Sequence, residues 1–259
     1  MTHKTLNPEL AAGHQVLAAA GKKILRPGGR AATQQLFAWA NFQPGETVLE
    51  LAASFGESAI ALSQQFGVQV VGIEKNPESV IRARRNIQTA GVASQVDVVE
   101  GDIFHLDAIP DQFDSVLAEA ILTMQSPSGK AKVLREIHDR LKPGGRFLSH
   151  ELCVVGDREA EIHQALAKTL RVNSTPLSVA HWIEACETAG LSVVQYHTGT
   201  MGLLNPARIV ADEGWIGAAK FFWSVLTQSE LRKRVLAMRQ LFQQYKHDLS
   251  YIILVAERP

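Results

Sequence analysis

Residues 48–74, VLELAASFGESAIALSQQFGVQVVGIE, decide how the fold is read. An apolar run closes on Glu50 and gives way to small residues at Ala52, Ala53, Ser54 and Gly56. A helical stretch then reaches Phe66, and a second apolar run ends on Glu74. A strand, a tight turn that opens a helix, and a second strand with an acidic end is how an open α/β sheet holds a nucleotide-like ligand.

Working outward, the same rhythm continues. Strands are predicted over residues 47–51, 69–74, 96–100, 113–118 and 146–152, with helices over 58–66, 77–90 and 128–141 between them. Such βαβ repetition argues for an α/β fold whose sheet is mostly parallel with helices on both faces. Asn76-Pro77 is a helix start, because Asn caps unpaired N–H groups and Pro suits the first helical position. Residues 142–145, Lys-Pro-Gly-Gly, form a turn into the fifth strand. Helices follow over 158–170 and 178–189, then strands over 191–196 and 250–256. Between those last two strands lie two helical runs, 206–226 and 229–247. A βα unit rarely needs so much chain, so residues 198–249 are read as a helical insertion capping the carboxyl edge of the sheet.

Upstream, apolar spacing predicts a helix over 8–25 with Asn7 as its cap and RPGG at 26–29 as its stop, then a second helix over 31–40. Residues 1–46 thus form a helical lead-in, 47–152 the ligand-binding core, and 1–259 together a single domain.

Lys plus Arg and Asp plus Glu both number 26, so no global charge steers the chain to nucleic acid or to an anionic membrane. The two cysteines, Cys153 and Cys186, show neither CxxC nor zinc spacing. No metal site is expected. The sequence has no signal-like opening and no run of about 18 apolar residues, which predicts a cytoplasmic protein without stable membrane insertion. A homodimer is left open.

Three strand ends carry the chemistry. Glu74 stands where an acidic side chain takes both hydroxyls of a ribose. Glu50 is placed to hold the lead-in or to accept from a ligand amino group. Asp102, in EGDIF, is placed to accept from an adenine amino group. In order, VLELAASFG, VVGIE, VVEGDIF, FDSVLAEAILTM and LKPGGRFLSHE resemble the successive motifs of class I S-adenosylmethionine-dependent methyltransferases, especially the small-molecule branch. The resemblance covers about residues 44–152, and extends more weakly through PLSVAHWIEACETAGLSVVQY and SYIILVAERP. It implies a Rossmann-like, seven-stranded sheet with an antiparallel last strand, and S-adenosylmethionine as cofactor.

By the same resemblance Glu50, Ala52, Ser54 and Gly56 surround the methionine part of the cofactor. Glu74 takes the ribose with Lys75 beside it, Asp102 takes the adenine amino group, and Ile103 packs on the adenine ring. Glu119, Ala120 and Leu122 face the sulfonium and the acceptor. Family members usually carry three glycines in the first loop; here Ala52 and Ser54 replace the first two. That crowds the loop, and also argues against a dinucleotide, whose pyrophosphate requires close backbone approach.

The implied reaction is in-line methyl transfer to a small-molecule acceptor. A base is required only where the acceptor loses a proton, and the candidates are His150, Glu151, Glu119 and His14, with His150 preferred because strand ends line such sites. Two other readings stand beside it. One is a module that binds S-adenosylmethionine or S-adenosylhomocysteine without turnover; the other is a nicotinamide-dependent oxidoreductase. Residues 214–226, GWIGAAKFFWSVL, are apolar nearly all round, so this helix is expected to be buried in packing, to face an apolar acceptor, or to contact a dimer partner or membrane.

Overall fold

The computed structural model describes residues 7–109 and 111–259, so the first six residues of the expected lead-in lie outside the described residues. Strands β1 (Thr47–Leu51), β2 (Gln69–Glu74), β3 (Val96–Glu100), β4 (Phe113–Glu119) and β5 (Leu141–Val154) form the parallel part of the sheet. β6 is the two-residue Leu177–Ser178, and β7 (Ser192–Thr200) and β8 (Leu249–Glu257) complete it. The spatial order is β3-β2-β1-β4-β5-β8-β7, with β6 paired to β5 off this path. β8 runs antiparallel to both its neighbours. The expected seven strands are therefore present, and the short β6 makes the sheet eight-stranded.

The central parallel strands β1 and β4 are buried almost throughout, as strands covered on both faces must be. One face carries α2 (Gly29–Ala40), α3 (Glu57–Phe66) and α4 (Pro77–Thr89), packed through Leu36, Phe37, Leu62, Ala83 and Ile87. The other carries α5 (Pro127–Arg140) and α7 (Val179–Thr188) through Leu134, Ile137, Trp182 and Cys186. A third apolar cluster joins α1 (Gly13–Ala19), α6 (Glu159–Leu170), α8 (Pro206–Thr227) and α9 (Ser229–Gln244) above the sheet's carboxyl edge. Local signals act as read: Asn76 accepts from the amides of Glu78 and Ser79 to start α4, with Pro77 at its first position.

One expectation is corrected and another is narrowed. The helix predicted over 8–25 is only Gly13–Ala19. The Asn7 side chain accepts from the Glu9 amide within a turn instead of capping it. Beyond α1 the chain runs as an irregular strap, because Gly21 takes φ 102° and the amides of Lys23 and Ile24 donate to Glu213 Oε1 on α8 at 3.0 and 2.9 Å. Of the alternatives for residues 214–226, burial in packing holds on one side only: Ala218 and Phe221 point inward, while Trp215, Ile216, Trp223 and Leu226 are exposed.

Candidate active site

The chain changes direction between β1 and β4, and at such a switch point an open sheet leaves a crevice beyond its strand ends. A cavity of about 410 Å³ lies there. Its floor comes from Glu50 at the end of β1, the loop 52–55, Glu74 at the end of β2, and Glu119 to Ile121 after β4. Its roof is contributed by α1, the strap, the loop after β7 and α9, including Leu17, Leu25, Met201, Leu203, Met238 and Phe242.

The first loop follows a glycine's path without glycines. Ala52 and Ser54 hold φ of 54° and 50°, in register with Gly56 at 77°. The left-handed region costs residues with a Cβ roughly 1–2 kcal/mol, so the loop keeps the shape that three glycines would give and carries the strain of two side chains. Glu74 fastens it: Oε2 accepts from the Ser54 amide at 2.9 Å and Oε1 from the Asn76 amide at 2.8 Å. Each oxygen retains acceptor capacity beyond that one bond.

Two buried carboxylates flank the switch point in opposite states. Burial, reinforced by the charge of Glu119, pushes the Glu50 pKa up to about 8, and its Oε2 has no hydrogen-bond partner. Around Glu119, burial works upward too, but the Arg26 charge and the His150 and Ser58 hydrogen bonds outweigh it and hold the pKa at about 2. Glu119 Oε1 accepts from Thr33 Oγ1 at 2.5 Å; Oε2 accepts from Ser58 Oγ at 2.6 Å and pairs with Arg26 Nε at 2.9 Å. Arg26 also donates to Ser58 Oγ.

His150 belongs to this network rather than to the cavity wall. It is fully buried, and its Nε2 accepts from the Gly28 amide at 3.0 Å. Thr33 gives its only proton to Glu119, so His150 Nδ1, 3.2 Å from Thr33 Oγ1, is the donor there. The ring is thus a neutral Nδ1–H tautomer, in keeping with burial lowering its pKa. A proton arriving at Nε2 would meet the Gly28 N–H, and a Cβ on Gly28 would come within 2.8 Å of the same nitrogen. His150 is therefore not among the cavity-lining groups that could take a proton from an acceptor.

The other expected residues divide. Glu50, Ala52, Ser54, Glu74, Glu119, Ala120 and His14 all line the cavity. His14 sits at the rim on α1, where burial lowers its pKa against the pull of Glu74. Lys75, Asp102, Ile103, Leu122 and Gly56 do not line it. Lys75 Nζ pairs with Asp102 Oδ2 at 2.7 Å, and that bond, above burial, lowers the Asp102 pKa. Ile103 and Leu122 are buried. Glu151 is buried behind the wall, accepting from the amides of Ile121, Leu122 and Thr123 and from the Thr123 hydroxyl, so it holds the loop after β4 in place.

Arg26, Thr33 and Ser58 were not singled out from the sequence. Arg26 lies in RPGG, which reads as a helix stop, and only a long-range fold brings it to Glu119. The orphaned Glu50 oxygen in a cavity wall fits a ligand ammonium, and the lone pairs of Glu74 fit hydroxyl donors. That donor set suits the amino-acid and ribose parts of S-adenosylmethionine.

Comparison with known proteins agrees. The profile of a family described as "Methyltransferase domain" matches residues 48–145. A protein of Haemophilus influenzae described only as uncharacterized is 32% identical over 246 residues, covering 95% of this chain and 98% of its own length. Methyltransferase GfsG of Streptomyces halstedii is 26% identical over 174 residues, 66% of this chain and 62% of that protein. Among solved structures, a SAM-dependent methyltransferase from Thiobacillus denitrificans in complex with S-adenosyl-L-homocysteine superposes with a TM-score of 0.69 at 18% identity, covering 95% of this chain and 98% of that one.

Proposed function

The chain belongs to the class I S-adenosylmethionine-dependent methyltransferases, and on that premise we propose that it methylates a small, largely apolar acceptor held between the strand ends and the helical cap. The observation that carries this reading is the two-sided cavity: polar and strand-derived below, apolar and built from Leu17, Met201, Met238 and Phe242 above. When bound, the cofactor supplies a methyl group made electrophilic by a sulfonium.

In this reading Glu50 takes the cofactor's ammonium and Ser54 its carboxylate. Glu74 takes the ribose, and Asp102 with Ile103 the adenine, once Lys75 swings aside. Ala120 lies beside the reacting centre. Glu119, saturated with donors, keeps Arg26 and α2 in place rather than moving a proton. His14, neutral at the rim, is the group left to accept a proton where the acceptor has one to lose. Orientation and exclusion of water supply most of the rate, as expected for a displacement on an already activated methyl; well-oriented reactants gain roughly 7–11 kcal/mol. The chain is read as one domain, with the hairpin of α8 and α9 as its cap.

Calorimetry with S-adenosylhomocysteine, paired with transfer of labelled methyl into an organic-soluble metabolite pool, tests the proposal. Glu74→Ala should weaken binding ten-fold or more, about 1.5–3 kcal/mol for charge-assisted hydrogen bonds. Label appearing only in water-soluble or macromolecular fractions would refute an apolar acceptor.

A further inference from the structure

The outward face of α8 has no role in the cavity. Past a break at Gly214, where φ is 70° and ψ 170°, the helix turns Ala218 and Phe221 to the interior. Its opposite face presents Trp215, Ile216, Trp223 and Leu226 at 82%, 75%, 70% and 65% exposure. At 100° per residue these four fall within one third of the helix circumference, as a continuous stripe. So large an apolar stripe on a surface helix marks a docking face.

The surrounding charges say what it docks to. Lys220 flanks the middle of the stripe, and Arg232 donates to the Leu226 carbonyl at its end. Arg239 is also exposed on α9, and Lys246 just beyond its end. The acids of the hairpin are withheld. The side chains of Asp212 and Glu213 are turned inward before the break, where buried Lys22 sits 3.6 and 3.4 Å away, and Glu230 is paired with Lys233. Two tryptophans among aliphatic residues, bordered by cations that can reach past them, match the boundary between lipid headgroups and acyl chains. A second copy of the chain fits less well. A two-fold pairing that sets the two copies of α8 antiparallel, centred on the stripe, brings Lys220 of one copy onto the same flank as Lys220 of the other.

We infer that the outer face of α8 seats the protein on an anionic lipid surface. Among the described residues no helix is long and apolar enough to cross a membrane, so the association is peripheral and reversible. The test is co-sedimentation of the full chain with phosphatidylcholine vesicles made with and without phosphatidylglycerol, at low and high salt. Wild type should pellet with the anionic vesicles and be released by salt. The double variant Trp215→Ser/Trp223→Ser should bind at least about ten-fold more weakly, and Lys220→Ala and Arg232→Ala about five-fold each. Because these side chains are exposed, the variants should unfold at the wild-type temperature. Failure to pellet with either vesicle at low salt, or full retention of binding by the double variant, overturns the proposal. So does a dimer seen by light scattering that the double variant abolishes while lipid binding is absent.

Discussion

Glu50 and Glu119 end neighbouring strands, face the same cavity and are both enclosed, yet the fold treats them oppositely. Glu119 has a cation and hydroxyl donors on both oxygens and is held at a pKa of about 2. Glu50 has an oxygen with no partner and a pKa raised to about 8. Burial weighs on both, so the difference lies in partners the protein provides. At Glu119 it supplies them all, and the carboxylate becomes a fastening between β4, α2, α3 and the strap. At Glu50 the help of Arg26, Ser58 and the Ala59 backbone falls short of burial, and one oxygen is left without a partner.

The contrast breaks most sharply at Arg26. Arg26→Ala leaves Glu119 enclosed without its cation, and removal of one member of a buried pair costs about 3–5 kcal/mol. Urea unfolding should show that loss, and a change below about 1 kcal/mol would mean that Glu119 needs no cation.

Glu50 predicts a smaller effect with a distinct pH signature. Its folded pKa lies above the unfolded value, so its contribution to stability is fully present below about pH 4.5 and is lost as pH rises toward 8. Glu50→Gln should flatten that decline in the ligand-free protein, by on the order of 2–4 kcal/mol across the window. Thermal melts between pH 5 and pH 8 would show it; parallel curves for variant and wild type would contradict it. Glu119 has the reverse dependence, its contribution present above pH 4.5 and lost only as pH falls toward 2.

The loop that follows Glu50 gives the smallest effect. Replacing Ala52 or Ser54 by glycine relieves a left-handed strain of about 1–2 kcal/mol and adds about 0.4–1 kcal/mol of unfolded-state entropy. The net gain should be about 0.5–1 kcal/mol for each substitution, with S-adenosylhomocysteine affinity maintained or improved. A loss of affinity in the double variant would make the Ser54 side chain a direct contact.

The side of the site containing Glu50 and Glu74 was legible in the sequence because each carboxylate closes an apolar strand, and strand ends gather in a crevice whatever the loops do. The network around Glu119 was not. Arg26 stands in a segment whose local chemistry says only that a helix stops, and its partners are distant in sequence. His150 was expected at a strand end, but β5 continues to Val154 and leaves it inside the strand, and the sequence could not tell that Gly28 and Thr33 would occupy both ring nitrogens. Residues 214–226 show the limit in another form. Their composition has no polar face from which to read an orientation, and the half turned outward emerges only once Ala218 and Phe221 are packed inward.

Under the proposed function, Glu50 is neutral in the ligand-free protein and becomes a carboxylate when the cofactor's ammonium arrives. Calorimetric titration with S-adenosylhomocysteine at pH 7, repeated in buffers of different ionisation enthalpy, measures the proton that this requires. Wild type should release close to one proton per ligand bound, and Glu50→Gln should release none while binding more weakly. Heats independent of the buffer for wild type, with affinity unchanged in Glu50→Gln, would contradict it.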